Sequence, residues 1–113
     1  MPASFHYDSN DLYCEETPLT AIAAREGTPC YVYSSRTILE NYRAYDDALA
    51  GTPHKICFAM KANSNLGILA LLAGAGSGFD IVSGGELYRV LKAGGDPASV
   101  VFSGVGKTAD VVE

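Results

Sequence analysis

The chain has 113 residues, 48% of them apolar, with 13 acidic and 8 basic side chains and a formal net charge of -5. That length suits one domain with a modest core, and with no run of lysine or arginine the electrostatic footprint of a nucleic-acid binder is missing. Cys14, Cys30 and Cys57 are odd in number and widely spaced, which fits neither a paired zinc motif nor a small disulfide framework; they read as reduced, buried thiols.

Residues 1–16 carry Asp8, Asp11, Glu15 and Glu16 and no apolar run, so they do not read as a secretory signal. Ala21 to Gly27 reads as a short helical piece ended by glycine. Pro29 then introduces Cys30-Tyr31-Val32-Tyr33, a β-former run and the first strand candidate. Ser34 and Ser35 can cap the next segment, where Ile38, Tyr42, Tyr45 and Leu49 share one helical face before Gly51 and Pro53 stop it.

The pattern repeats with Ile56 to Met60 as strand and Leu66 to Ala73 as helix. Phe79 to Val82 and Glu86 to Ala93 form the next pair; Val100 to Phe102 is a fourth strand, with a helix start near Thr108. Strands alternating with crossover helices imply an α/β class with a parallel sheet. The stretch from Leu66 to Gly78 is too short and glycine-rich to span a bilayer, so a cytoplasmic protein without a membrane partner is expected. The sequence stops where a fourth helix should begin, and it reads as a truncated piece. A doubly wound sheet could nearly close at this length, whereas an eight-fold barrel of about 250 residues would be represented by half.

Loops after the strands form the active face of such folds, and Lys61, Asn63, Ser64 and Asn65 lie in one of them. On spacing alone Lys61 could be a solvated strand-end charge and the asparagines or serine a helix cap. A lysine at the end of an apolar strand is also suited to Schiff-base chemistry, because desolvation favours its neutral, nucleophilic form. Pyridoxal 5'-phosphate is the natural carbonyl partner, although aldolase-type enzymes use lysines in the same way.

Asp80, inside the third apolar run, requires a cationic or hydrogen-bonding partner. Ser83 and Glu86 fit a capping box in which the glutamate reaches back to the serine amide. "VFSGVGKT" lacks the leading glycine of a phosphate-binding loop, and Gly74, Gly76 and Gly78 miss the dinucleotide fingerprint; the glycines read as the release from helix to strand. His6 and His54 have no metal-ligand spacing and read as surface or capping residues, and no metal is expected.

Together "GTPCYVYS" (27–34), "CFAMKANSN" (57–65), "GFDIVSGGELYRVLKAG" (78–94) and "VVFSGVGKT" (100–108) resemble the N-terminal part of the diaminopimelate decarboxylase family. The four blocks follow in order over nearly the whole chain, and the last is more typical of this family than of ornithine- and arginine-decarboxylating relatives. The resemblance implies a partial (β/α)8 TIM barrel of the alanine-racemase type, about four βα units over residues 27–113. Residues 1–26 become an arm and short helix, the arm belonging to a β-domain. It also implies pyridoxal 5'-phosphate as cofactor, Lys61 as its Schiff-base lysine, Asp80 as an acidic residue beside cofactor and lysine, and Glu86 as a catalytic acid that keeps its capping role. The implied reaction is decarboxylation of meso-diaminopimelate to lysine in a homodimer whose partner completes the site, with these 113 residues inactive by themselves. The alternatives are a decarboxylase of ornithine, arginine or another basic amino acid, and, from another class, a non-catalytic half-barrel binding module.

Overall fold

The computed structural model describes residues 3–103, which fall into two units divided between Glu40 and Asn41, inside a helix. In the first unit β1 (Phe5–Asp8), β2 (Asp11–Cys14) and β3 (Thr17–Pro18) form an antiparallel meander. Asp8 pairs with Asp11 across a two-residue loop in which Ser9 and Asn10 have φ of 53° and 73°. Positive φ at both central positions is what a tight hairpin turn demands, and asparagine tolerates it well. The second hairpin turns at Glu15, also at positive φ. After α1 (Leu19–Glu26), Gly27 takes φ 82° and ends the helix.

Ser34, buried, caps α2 (Ser35–Ala48) by accepting from the Thr37 amide at 3.1 Å. Glu15 adds what spacing did not show: its Oε2 accepts from Ser34 Oγ at 2.9 Å and from the Arg36 amide at 3.3 Å. These bonds, the Arg36 amide foremost, lower the Glu15 pKa.

Residues 30–33 depart from expectation, because they pair with no strand among the described residues. Tyr31 and Tyr33 stack on each other at 6.3 Å, and Tyr31 is 90% exposed. β-Forming residues become a strand only where another strand's peptide groups are in reach. The cysteines are free, but only Cys14 is buried; Cys30 is exposed and Cys57 half-buried. Cys30 shares the open character of its segment, which has no ladder to cover it among the described residues.

In the second unit β4 (Cys57–Ala59), β5 (Gly78–Ile81) and β6 (Val100–Phe102) form a parallel sheet in that order. Three of the four expected strands are therefore present, with α3 (Leu66–Gly74) and α4 (Gly84–Lys92) as crossovers. The expected helix start near Thr108 lies outside the described residues. Alternation along the strands gives the sheet two unlike faces. Phe79 and Ile81, 0% and 1% exposed, project to one face and pack in a core with Met60, Leu69, Leu72 and Val90. On the other lie Ala59, Asp80 and Val101, paired across the three strands, where Ala59 and Val101 are exposed.

The apolar stripe of α2 is covered unevenly in this unit: Tyr42 is half-buried, whereas Tyr45 is 70% exposed. His54 forms a clasp after that helix, with Nδ1 2.7 Å from the Thr52 carbonyl and Nε2 2.8 Å from Asp46 Oδ1. Both partners accept, so the two bonds are made together only when both ring nitrogens carry hydrogen, which favours the imidazolium form. The Thr52 carbonyl, then the Asp46 carboxylate, raises the His54 pKa. The clasp therefore contributes fully below the unfolded value of about 6.5 and is lost as pH rises through the higher folded value. An NMR titration should place the His54 pKa above 6.5, and Asp46→Asn should lower it; an unchanged midpoint in that variant would contradict the clasp.

Candidate active site at the carboxyl ends of the parallel strands

The ends of β4, β5 and β6 bring the sequence-predicted residues to one edge of the sheet. The Met60 amide continues the ladder by donating to the Asp80 carbonyl at 3.4 Å, and Lys61 is the next residue. Met60 is 0% exposed, a wedge that fixes the chain just before it turns. Two tight turns follow, with the Ala62 amide donating to the Ala59 carbonyl and the Asn63 amide to that of Met60, each at 3.1 Å. Lys61 is exposed at their apex, so the described residues leave its amine open and do not supply the apolar enclosure expected from the strand before it.

Asn65 starts α3. Its Oδ1 accepts from the Gly67 amide at 2.8 Å and the Ile68 amide at 3.4 Å, satisfying two donors the helix cannot. Asn63 Oδ1 accepts from the Asn65 amide at 3.1 Å. The two asparagines thus build the helix start, as expected from their position after the strand.

Asp80 is half-buried on the less covered sheet face, and Oδ1 accepts from Ser103 Oγ at 2.5 Å. This answers the question raised by a carboxylate in an apolar run: strand alternation turns it away from the core of Phe79 and Ile81, and the residue that follows the neighbouring strand β6 supplies a hydroxyl. Ser103 had no signal in the sequence, because only the parallel pairing of β5 with β6 brings it to Asp80.

Ser83 caps α4 by accepting from the Glu86 amide at 3.1 Å. The reciprocal bond differs by one residue from the expected box: Glu86 Oε1 accepts from the Val82 amide at 2.8 Å, not from that of Ser83. Ser83 is fully extended at φ -156° and ψ 161°, which puts the preceding amide within the glutamate's reach. The first turn of α4 is therefore fastened to the end of β5.

One further residue was missed. Arg89, three positions after Glu86 on α4, donates from Nε to the Ser64 carbonyl at 2.9 Å. Its position in a helix gave no sign of this, since the partner is a backbone carbonyl 25 residues away. Among the described residues no group of three or more histidine, cysteine, aspartate or glutamate side chains could hold a metal ion.

The arrangement offers an open primary amine and a carboxylate on adjacent parallel strands. The chain is 64% identical over 107 residues to the diaminopimelate decarboxylase of Pseudomonas aeruginosa, covering 95% of this chain and 26% of that protein. It is 57% identical over 105 residues to the enzyme of that name from Vibrio cholerae, covering 92% and 25%. Among solved structures, diaminopimelate decarboxylase from M. jannaschii in co-complex with L-lysine superposes with a TM-score of 0.88 at 33% identity, over 96% of this chain and 26% of that one. The chain thus spans about a quarter of the length of these relatives. The family described as "Pyridoxal-dependent decarboxylase, pyridoxal binding domain" matches residues 35–113, which include all three strands of the parallel sheet together with Lys61, Asp80 and Glu86. By that match, and by the fold it shares with solved decarboxylases, the chain belongs to the pyridoxal-dependent decarboxylase family.

Proposed function

We propose that this chain is the lysine-bearing part of a diaminopimelate decarboxylase, which releases carbon dioxide from meso-2,6-diaminopimelate to give L-lysine. The observation that carries the reading is Lys61 at the carboxyl end of β4, one residue after the Met60 amide that bonds the Asp80 carbonyl of β5, in a chain 64% identical to a protein of that name. Residues 27–113 are assigned to the first half of a pyridoxal phosphate-binding (β/α)8 barrel, and residues 1–26 to an arm that joins a β-domain. The exposed inner positions Ala59 and Val101 support that assignment, since further strands would enclose the face they share with Asp80. A cytoplasmic homodimer acting on a small amino acid, with no nucleic acid or membrane partner, completes the proposal.

The residues suit pyridoxal phosphate on their own chemistry. Lys61 presents an open amine for a carbonyl, and Asp80 presents a carboxylate, held by Ser103, to a cationic partner. When bound, the cofactor supplies that carbonyl and a ring that withdraws electrons from the carbon losing carbon dioxide. Lys61 then anchors and, when released, can carry a proton at Nζ. Asp80 fixes negative charge at the adjoining strand end and orients cationic groups near the amine. Glu86 is assigned a catalytic role in addition to its bond to the Val82 amide.

The 113 residues by themselves are proposed to be inactive, since they span about a quarter of the relatives' length. The test uses the intact protein carrying this chain, supplied with pyridoxal phosphate, and compares carbon dioxide release from meso-diaminopimelate, ornithine, arginine and lysine. Diaminopimelate should exceed the others by about 10²-fold or more in kcat/KM. Equal or faster turnover of ornithine or arginine would transfer the chain to the related decarboxylases.

A further inference from the structure

Arg89 is bound to a carbonyl that α3 leaves over. In a continuing helix the Ser64 carbonyl would accept from the Ile68 amide, four residues on. Here Asn65 is the cap and its side chain takes that amide, so the Ser64 carbonyl needs another donor. Arg89 Nε supplies it from α4 at 2.9 Å.

The position of that bond gives it a consequence for Lys61. Lys61, Ala62 and Asn63 lie between two anchors from outside the loop: the Met60 amide on the Asp80 carbonyl, and Arg89 on the Ser64 carbonyl. Glu86 and Arg89, one turn apart on α4, divide the work, the carboxylate accepting from the amide at the end of β5 and the guanidinium donating to the loop after β4. An exposed lysine on a freely moving loop would meet a carbonyl in many geometries, few of them productive.

We infer that Arg89 is a positioning residue for Lys61: by holding the Ser64 carbonyl it sets the loop geometry in which the Lys61 amine captures pyridoxal phosphate. The inference rests on the assignment of Lys61 to that cofactor. Capture joins Nζ to the carbonyl carbon with loss of water. Borohydride then delivers hydride to that carbon, solvent supplies the proton to nitrogen, and a stable secondary amine remains for peptide mass analysis.

The test uses two variants of the intact protein. In Arg89→Gln the amide nitrogen lies at the same bond distance along the side chain as Arg Nε, so the donor is kept and the charge removed. Arg89→Met keeps the stem and removes the donor. At subsaturating pyridoxal phosphate, Arg89→Met should lower the trapped fraction on Lys61 by about 10-fold, which corresponds to about 1.4 kcal/mol, while Arg89→Gln stays within about 3-fold of wild type. Wild-type trapping in folded Arg89→Met overturns the inference, and so does a folded Arg89→Gln that traps as little as a donor-less variant. The glutamine result decides the matter should the methionine variant fail to fold. A wild-type protein with no adduct on Lys61 instead sinks the cofactor assignment itself, so the two failures are distinguishable.

Discussion

Lys61→Ala in the intact protein should abolish the borohydride-trapped pyridoxyl adduct and lower decarboxylase activity at least ~10³-fold, a loss of ~4 kcal/mol of barrier reduction. The change should leave folding nearly untouched, because Lys61 is exposed at the apex of two turns whose hydrogen bonds are made entirely by backbone groups. Surface substitutions of that kind usually alter stability by no more than about 0.5 kcal/mol. A variant that folds and still yields a pyridoxyl adduct on another lysine, with activity within 10-fold of wild type, would remove Lys61 from the site. The adduct and the activity are read separately, so lost anchoring can be told from lost turnover.

Gly78→Ala should be among the most destabilising single-methyl changes in the parallel sheet. A Cβ at Gly78 would lie 2.5 Å from the Ser99 carbonyl oxygen and 2.8 Å from Cys57 Sγ. The oxygen is backbone at the entrance to β6, and the Gly78 amide is already bonded to the Ile56 carbonyl at 2.8 Å, so the clash cannot be relieved by a flexible side chain alone. Overpacking of this kind costs about 1–3 kcal/mol. A melting curve should show the loss, with Gly74→Ala as the contrast, since a Cβ there meets nothing within 4 Å and alanine favours the helix. Equal stability of Gly78→Ala and wild type would show that the β4–β5–β6 spacing is softer than the close approach implies.

Much of the helical content follows from local signals, because those signals act over a few residues. Ser34, Asn65 and Ser83 each precede a helix and each caps it through its own side chain. The alternating order of strands and helices likewise places Lys61 after a strand, where a parallel sheet puts its active ends. The N-terminal meander was less legible, since its strands hold polar residues and depend on two tight turns at Ser9–Asn10 and Glu15.

Residues 30–33 show the opposite failure. Cys-Tyr-Val-Tyr has strong strand propensity, yet the segment lacks a ladder among the described residues, because propensity supplies a compatible backbone and not a partner. Desolvation of Lys61 was inferred from the apolar run before it, but burial of a strand's core-facing residues does not enclose a side chain one residue beyond Met60.

By itself the sequence determined the α/β class and the capped starts of three helices, and it singled out Lys61 as the candidate for chemistry, since caps, periodicity and motif spacing are properties of neighbouring residues. Only the tertiary structure decided that Ser103 meets Asp80, that Glu86 holds the Val82 amide and that Arg89 reaches the Ser64 carbonyl. Two of these three bonds join elements more than twenty residues apart, and the third turns on the extended backbone of Ser83. Such partners become available only once the strands are in register and α4 is seated, because an isolated backbone carbonyl or carboxylate has no sequence signature for the donor that will find it.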